Sequence, residues 1–310
     1  MDTSAILIAG PTASGKSALA LHLAEACSAR GGAAIVNADS QQVYAEIRIL
    51  TARPTAADEA RVPHHLYGHQ SVATAYSVAS WRREALAAIA AVERTGRTPI
   101  VVGGTGLYFR VLLEGIAEIP DVADEIRALV RKRLDLEGPD ALHDELAHRD
   151  PETAARLDHS DGQRIARALE VLEATGLSLS VWQRKATTGD RLKPAAKFVL
   201  WPDRLDLNQR IGRRFVDMIE SGAIEEAATL RARGLDSALP VMKALGIPDL
   251  IAHLDGELSL DDAVERAQTA SRRFAKRQMT WFRNQMADWS RIDGTQQLES
   301  IADEIFPFIR

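Results

Sequence analysis

Ala5-Ile6-Leu7-Ile8-Ala9-Gly10-Pro11-Thr12-Ala13-Ser14-Gly15-Lys16-Ser17-Ala18-Leu19-Ala20 reads as a short apolar strand, a loop of the form G-x-x-x-x-G-K-S and the start of a helix. Such a loop turns successive backbone N–H groups inward at a helix N-terminus, where they cradle a phosphate chain. Lys16 is placed to neutralise terminal phosphate oxygens, and the Ser17 hydroxyl to ligate Mg²⁺. Gly10 through Ser17 are therefore the expected phosphate-binding residues. An ordinary glycine-rich turn is the bland alternative, and the strand before and helix after argue against it. Taken alone the loop announces ATP, and it does not choose a reaction.

Working outward, residues 33–38 form a second short buried strand that ends at Asp39-Ser40-Gln41-Gln42. An acidic residue at the carboxyl end of a strand beside the phosphate-loop strand stands where α/β sheets place their chemistry. Capping of a following helix is an equal alternative for Asp39. Residues 99–102 are a third buried strand, running into Gly103-Gly104-Thr105-Gly106-Leu107-Tyr108, a second glycine-rich turn into a helix. Strand–helix alternation at this spacing predicts an α/β fold, a P-loop NTPase-like parallel sheet flanked by helices. From Asp121 to about Trp182 no strand pattern occurs, and Gly138-Pro139, Asp150-Pro151 and Gly176 punctuate charged helices over 123–136, 141–149, 151–157 and 163–175. The pattern predicts an all-helical domain, residues 119–193, inserted into a core made of 1–118 and 194–310. A strand at 196–201 returns the chain to the sheet, and the remainder reads as helical, over 207–221, 223–233, 241–254 and 260–289. The last helix interleaves Arg272, Arg273, Lys276, Arg277 and Arg283 with Phe274, Trp281, Phe282 and Trp289. It is either a buried aromatic stripe with a solvated basic face or a surface for phosphodiester backbone.

The 310 residues are 46% apolar and 26% charged with a net charge of −5, so an RNA-binding claim must rest on local clusters. The single cysteine, Cys27, excludes an internal disulfide framework and reads as a buried structural thiol. His64, His65 and His69 lack a carboxylate or cysteine partner pattern and read as structural or substrate-lining. The chain enters its first strand without a signal-like segment and has no long uncharged run, so the expectation is a cytoplasmic protein with no membrane span. No long apolar seam is left over, and the expectation is a monomer.

A guanine-reading N-K-x-D motif is absent, and the strand at 99–102 ends in glycine where an ATPase motor needs an acid. A small-molecule kinase remains, with Asp39 as base. The motifs also resemble the tRNA dimethylallyltransferases (tRNA isopentenyltransferases). They are Gly10 to Ser17, Asn37-Ala38-Asp39-Ser40-Gln41-Gln42-Val43-Tyr44, Val102 to Tyr108, Gln163-Arg164-Ile165-Ala166-Arg167-Ala168-Leu169-Glu170-Val171 and Ala275-Lys276-Arg277-Gln278-Met279-Thr280-Trp281-Phe282-Arg283. They follow the family order over nearly the whole chain.

The resemblance implies Mg²⁺-dependent transfer of a dimethylallyl group from its diphosphate to N6 of the adenosine immediately 3′ of the anticodon, in tRNAs reading codons that begin with U. The phosphate loop would then hold the donor's diphosphate. Asp39 would be the general base at the adenine amino group, and Thr105 would assist the leaving oxygen. Arg214 would meet the diphosphate, with Arg213 a competing candidate. RNA contacts would come from Asp39, Ser40, Gln41, Gln42, Thr105 and Arg127, and from Gln163, Arg164, Ile165, Ala166 and Arg167. One stretch departs from the family pattern: Gly246-Ile247-Pro248 stands where many members carry Gly-Tyr-Arg or Gly-Tyr-Lys, leaving Lys243 to meet a phosphate. The end at Arg310, without a zinc-finger extension, matches bacterial-type members. Two further readings stay open beside the kinase: an adenylate isopentenyltransferase, which takes a free nucleotide, and a non-catalytic RNA-binding nucleotide switch.

Overall fold

The apolar run before the phosphate loop is strand β1 (Ile6–Ala9), and none of its four side chains reaches solvent. The computed structural model describes residues 3–74, 76–117, 119–184, 191–237, 239–294, 296 and 298–308. In chain order β1 is followed by α1 (Lys16–Ala26), β2 (Ala33–Asn37), α2 (Ala56–Arg61), β3 (His64–His65), α3 (Val78–Arg94), β4 (Thr98–Gly103) and α4 (Gly106–Glu114). Then come α5 (Asp124–Arg149), α6 (Pro151–Ala154), α7 (Gly162–Thr175), α8 (Leu179–Arg184) and β5 (Ala196–Leu200). The chain continues through α9 (Arg204–Glu220), α10 (Ala223–Ala232), α11 (Ile247–Leu254), α12 (Leu260–Gln285), β6 (Ser290–Ile292) and α13 (Leu298–Ile305).

The strands form one sheet in the order β3-β2-β4-β1-β5-β6, every pair parallel. All carboxyl ends therefore share one edge, where β1 releases the phosphate loop, β2 releases Asp39 and β4 releases Thr105. β1 lies between β4 and β5, with Ile6 opposite both Ile100 and Ala196. Parallel strands covered on both faces read as unbroken apolar runs, and β1, β2 and β4 are buried at every position. One face of the sheet packs Leu19 and Leu23 of α1 against Ile8, Ile35 and Ile100 and is closed by Ile301 and Ile305 of α13.

The chain divides into two compact units, Met1–Leu113 with Leu192–Arg310, and Glu114–Arg191. The second is all-helical among its described residues; positions 185–190 of the expected insert lie outside them. Its core joins Val130, Leu142 and Leu146 of α5 to Ile165, Ala168 and Leu169 of α7. The two helices expected over 123–136 and 141–149 are both present within α5, parted at Gly138, whose φ of 82° is not helical. Among the described residues no helix is long and apolar enough to cross a membrane.

Three expectations for the C-terminal part are corrected. The segment after α12 is not purely helical, because Ser290–Ile292 pairs in parallel with β5 as an edge strand. Helix α12 ends at Gln285, four residues short of Trp289, whose buried ring instead meets Phe109 edge-on at 5.2 Å. The helix expected over 241–254 begins only at Ile247, after a left-handed Gly246 at φ 83°.

Candidate active site

The phosphate loop leaves β1 under backbone constraint. Gly15 is left-handed at φ 89° as it caps α1, a conformation that any Cβ would strain. Ala13 is also left-handed, at φ 60°, at a cost of roughly 1–2 kcal/mol that the surrounding bonds must offset. The loop closes through Ser14 N–H to Pro11 O at 3.2 Å, and Gly10 N–H holds β4 through Gly103 O at 3.2 Å. Lys16 is 7% exposed and donates Nζ to Pro11 O at 3.2 Å. Burial lowers its pKa to about 8; the negative charge of Asp39 opposes that fall and Arg214 adds to it. The Ser14 hydroxyl is buried with no partner among the described residues, whereas Ser17 is exposed beside Lys16.

Asp39 is held by its neighbour across one residue. The fully buried Asn37 accepts the Asp39 N–H at 2.8 Å and donates to Asp39 O and Leu66 O, each at 3.0 Å. Trp81 Nε1 donates to Asn37 O at 3.0 Å, so the end of β2 is pinned from α3 as well. No helix starts after Asp39; one carboxylate oxygen accepts the Gln41 N–H at 3.0 Å in a local turn. Capping therefore does not account for this carboxylate.

Thr105 joins the Asp39 turn to the second glycine-rich turn. Its N–H donates to Ala38 O at 3.1 Å, and its hydroxyl accepts the Ser40 N–H at 2.9 Å and donates to Ser40 Oγ at 3.2 Å. Arg214, on α9, faces the cavity that Lys16, Ser17 and Asp39 line, while Arg213 is exposed. Burial pulls the Arg214 pKa down and Asp39 acts against that fall. The same cavity has an apolar wall of Leu50, Ile211, Phe215, Met218, Leu245 and Phe274, drawn from segments far apart in sequence.

The remaining expected site residues fall into two groups. Gln41 lines the cavity, and the buried Gln42 donates Nε2 to Thr51 O at 2.9 Å and Ala52 O at 2.8 Å, which fixes the following turn. Lys243 is exposed on a short turn of 3₁₀ helix. In the helical unit, Gln163 and Arg164 are exposed at the start of α7, and Arg127, in the first turn of α5, pairs with Asp124 at 3.2 Å. Arg167 pairs with the buried Glu170 at 3.3 Å. Ile165 and Ala166 are corrections: their side chains pack into the core of the unit, so neither is available to RNA.

Cys27 is fully buried, as expected. His64 bonds Val62 O at 2.7 Å, and His69 meets Tyr76 at 3.2 Å and Glu84 at 3.0 Å. Among the described residues no three His, Cys, Asp or Glu side chains converge to hold a metal. A cation at the loop would depend on Ser17 and on substrate oxygens. That hard-oxygen set, beside the orphan Ser14 hydroxyl, fits Mg²⁺ bound with a phosphate chain.

Two residues that brace the site's loops carried no assigned role in the sequence. One is Asn37. The other is Gln278 of α12, which accepts the Thr12 N–H at 2.9 Å and donates to Gly104 O at 2.8 Å. Their only signal was membership of the motifs that resemble the family.

The model of the IPP transferase family matches residues 42–285, and that of isopentenyl transferase matches residues 3–72. A tRNA dimethylallyltransferase of Azorhizobium caulinodans is 54% identical over 289 residues, covering 93% of this chain and 91% of its own length. One from Parvibaculum lavamentivorans is 50% identical over 305 residues, covering 98% and 95%. Among solved structures, the tRNA isopentenylpyrophosphate transferase of Bacillus halodurans aligns with TM-score 0.69 at 32% identity, over 98% of this chain and 94% of that one. A eukaryotic dimethylallyltransferase acting on tRNA aligns with TM-score 0.74 at 29% identity, over 94% and 74%.

Proposed function

The chain belongs to the IPP transferase family, and on that premise we propose that it prenylates tRNA. It moves a dimethylallyl group from dimethylallyl diphosphate to N6 of the adenosine immediately 3′ of the anticodon, in tRNAs reading codons that begin with U, and releases diphosphate. The observation that carries this reading is the meeting of Lys16, Arg214 and Asp39 with an apolar wall in one cavity. A diphosphate with a short hydrocarbon tail needs both surfaces at once. Against a kinase, one of the other phosphate-loop readings, stands the family match over nearly the whole chain.

In the transfer, N6 forms a bond to C1 of the allyl group, and the C1–O bond breaks with its electron pair leaving on the diphosphate. The exocyclic amine is a weak nucleophile, and Asp39 takes its proton as the new bond forms. Loop N–H groups, Lys16 and Arg214 receive the charge that develops on the leaving diphosphate. The Thr105 hydroxyl proton, directed at Ser40 Oγ at 3.2 Å, turns to the bridging oxygen. Ser17 would help to hold a Mg²⁺ brought with the diphosphate, which would supply further charge neutralisation. The target base leaves its stack to reach an enclosed cavity, as enzymes acting on bases require. Gln163, Arg164, Arg167 and Arg127 are the RNA-contacting residues of the helical unit, and Arg273, Lys276 and Arg277 are an exposed basic row on α12.

One assay tests the reading: the protein is incubated with Mg²⁺ and dimethylallyl diphosphate together with unmodified tRNA or AMP, and separately with ATP and small acceptors. Prenylated tRNA is the expected product. Prenylated AMP would make it an adenylate isopentenyltransferase, and phosphorylation from ATP without prenyl transfer would make it a kinase.

A further inference from the structure

Helix α12 is built with two faces. Ser271, Ala275, Gln278 and Phe282 recur at helical spacing and are buried, whereas Arg273, Lys276 and Arg277 are exposed on the other side. Gln278 is the one long polar side chain in that buried row, at 6% exposure, and both ends of its amide are in use. Oε1 accepts the Thr12 N–H at 2.9 Å, across 266 residues of sequence, and Nε2 donates to Gly104 O at 2.8 Å. The orientation is set by chemistry: a flipped amide would oppose two donors at Thr12 and two acceptors at Gly104. Glycine at 104 belongs to the same arrangement, because a Cβ there would stand 2.3 Å from Gln278 Nε2.

The two segments tied by this amide carry the two halves of the proposed chemistry. Thr12 lies in the loop that would hold the diphosphate, and Gly104 immediately precedes Thr105. We infer that Gln278 is a positioning residue that fixes the spacing between the diphosphate loop and the Thr105 turn, so that leaving group and proton donor stay aligned. The inference rests on the prenyl-transfer reading for its chemistry. Its physical content is that a misplacement of about 1 Å costs on the order of 10²-fold in rate.

Gln278→Met keeps the length and burial of the side chain and removes both bonds. Three quantities are read about 20 degrees below each variant's own thermal midpoint: Mg²⁺·pyrophosphate affinity, single-turnover transfer at saturating donor and tRNA, and tRNA affinity. The expected result is pyrophosphate binding weakened about tenfold and single-turnover transfer slowed about 10²-fold, with tRNA affinity within about twofold. A side chain that only stabilises the fold would lower the thermal midpoint and leave the rate below it unchanged, which overturns the inference. A loss of tRNA affinity in step with rate, at unchanged pyrophosphate affinity, also overturns it and makes Gln278 an RNA contact. Should the Met variant not fold, Gln278→Asn, too short to reach both partners, carries the same expectations. Wild-type protein that binds pyrophosphate but prenylates no tRNA would sink the functional reading alone, and the pyrophosphate arm would still decide the role of Gln278.

Discussion

The edge of the sheet and the surface of α7 are built on opposite principles. At the sheet edge, Asp39, Thr105, Lys16 and Gln278 each hold at least one side-chain bond to a main-chain group, within their own loop for Asp39 and Lys16 and to another segment for Thr105 and Gln278, and Lys16 and Gln278 are buried. On α7, Gln163 and Arg164 stand in solvent, and the partner of Arg164, Asp161 at 3.4 Å, is half-buried. Bond-making chemistry gains from groups whose positions are fixed in advance. A grip on a phosphodiester backbone needs charge within reach, and mobile cations supply it. Substitutions should therefore split cleanly: the sheet edge should govern rate and diphosphate affinity, the α7 surface RNA affinity and salt dependence.

The harshest way to break that contrast is Asp39→Ala. It should lower the single-turnover transfer rate by roughly 10²–10⁴, the range expected of general base catalysis, and leave tRNA affinity within about tenfold. Equal losses in rate and in tRNA binding would mean that Asp39 mainly orders the RNA. The intact Asn37 bonds guard against a trivial loss, since they hold the main chain of Asp39 and not its carboxylate.

Next in size is the protonation of Lys16. Its pKa is pulled down to about 8, so in the free protein the cation is present below that pH and lost above it. Corrected for the ligand's own protonation, Mg²⁺·pyrophosphate affinity should hence be flat below pH 8 and fall about tenfold per unit above it. Bound anion raises the Lys16 pKa, so the limb belongs to the free protein. Lys16→Met should remove the limb and bind about 10²-fold more weakly below it. A limb that survives in the Met variant would assign the titration elsewhere.

The contrast also bears on what the sequence made legible. β1, β2 and β4 could be read because strands buried on both faces are continuous apolar runs, and the phosphate loop because its glycines and lysine lie within eight residues. β6 could not: it is three residues long, and only Ile292 is buried. Trp289 misled because its spacing from Trp281 fits a helix, while its burial comes from Phe109 after the chain has turned at Met286. At the site, Asp39 and Thr105 were visible as motif residues. The apolar wall and the amide of Gln278 come from packing between distant segments, which no local spacing records. Ile165 and Ala166 failed in the reverse sense, since the motif around Arg164 mixes residues of the helix surface with residues of its core.

A smaller effect is expected from the paired reversal Arg164→Glu/Arg167→Glu. tRNA affinity should fall roughly tenfold, and the dependence of log K on log salt should flatten by about 0.7–0.9 for each phosphate no longer neutralised. The single-turnover rate at saturating tRNA should stay within about twofold. An unchanged salt slope would remove the α7 surface from the RNA interface.

The smallest effect separates the two arginines from one another by stability. Arg167 sits 3.3 Å from Glu170, a carboxylate with a side chain only 7% exposed, whose second partner, Arg131, is farther at 3.8 Å. Arg167→Ala strips the nearer cation from a buried anion, which should cost about 1–2 kcal/mol of unfolding free energy, moderated because Arg167 itself is partly in water. Arg164 has a side chain 68% exposed and only a surface partner, and Arg164→Ala should stay within about 0.5 kcal/mol. If both singles weaken tRNA alike while only Arg167→Ala shifts the denaturation midpoint, Arg164 is the cleaner probe of the RNA grip. Part of any Arg167 effect on tRNA would then be carried by the loosened α7, and a midpoint shift of equal size in both would place the two side chains in the same structural role.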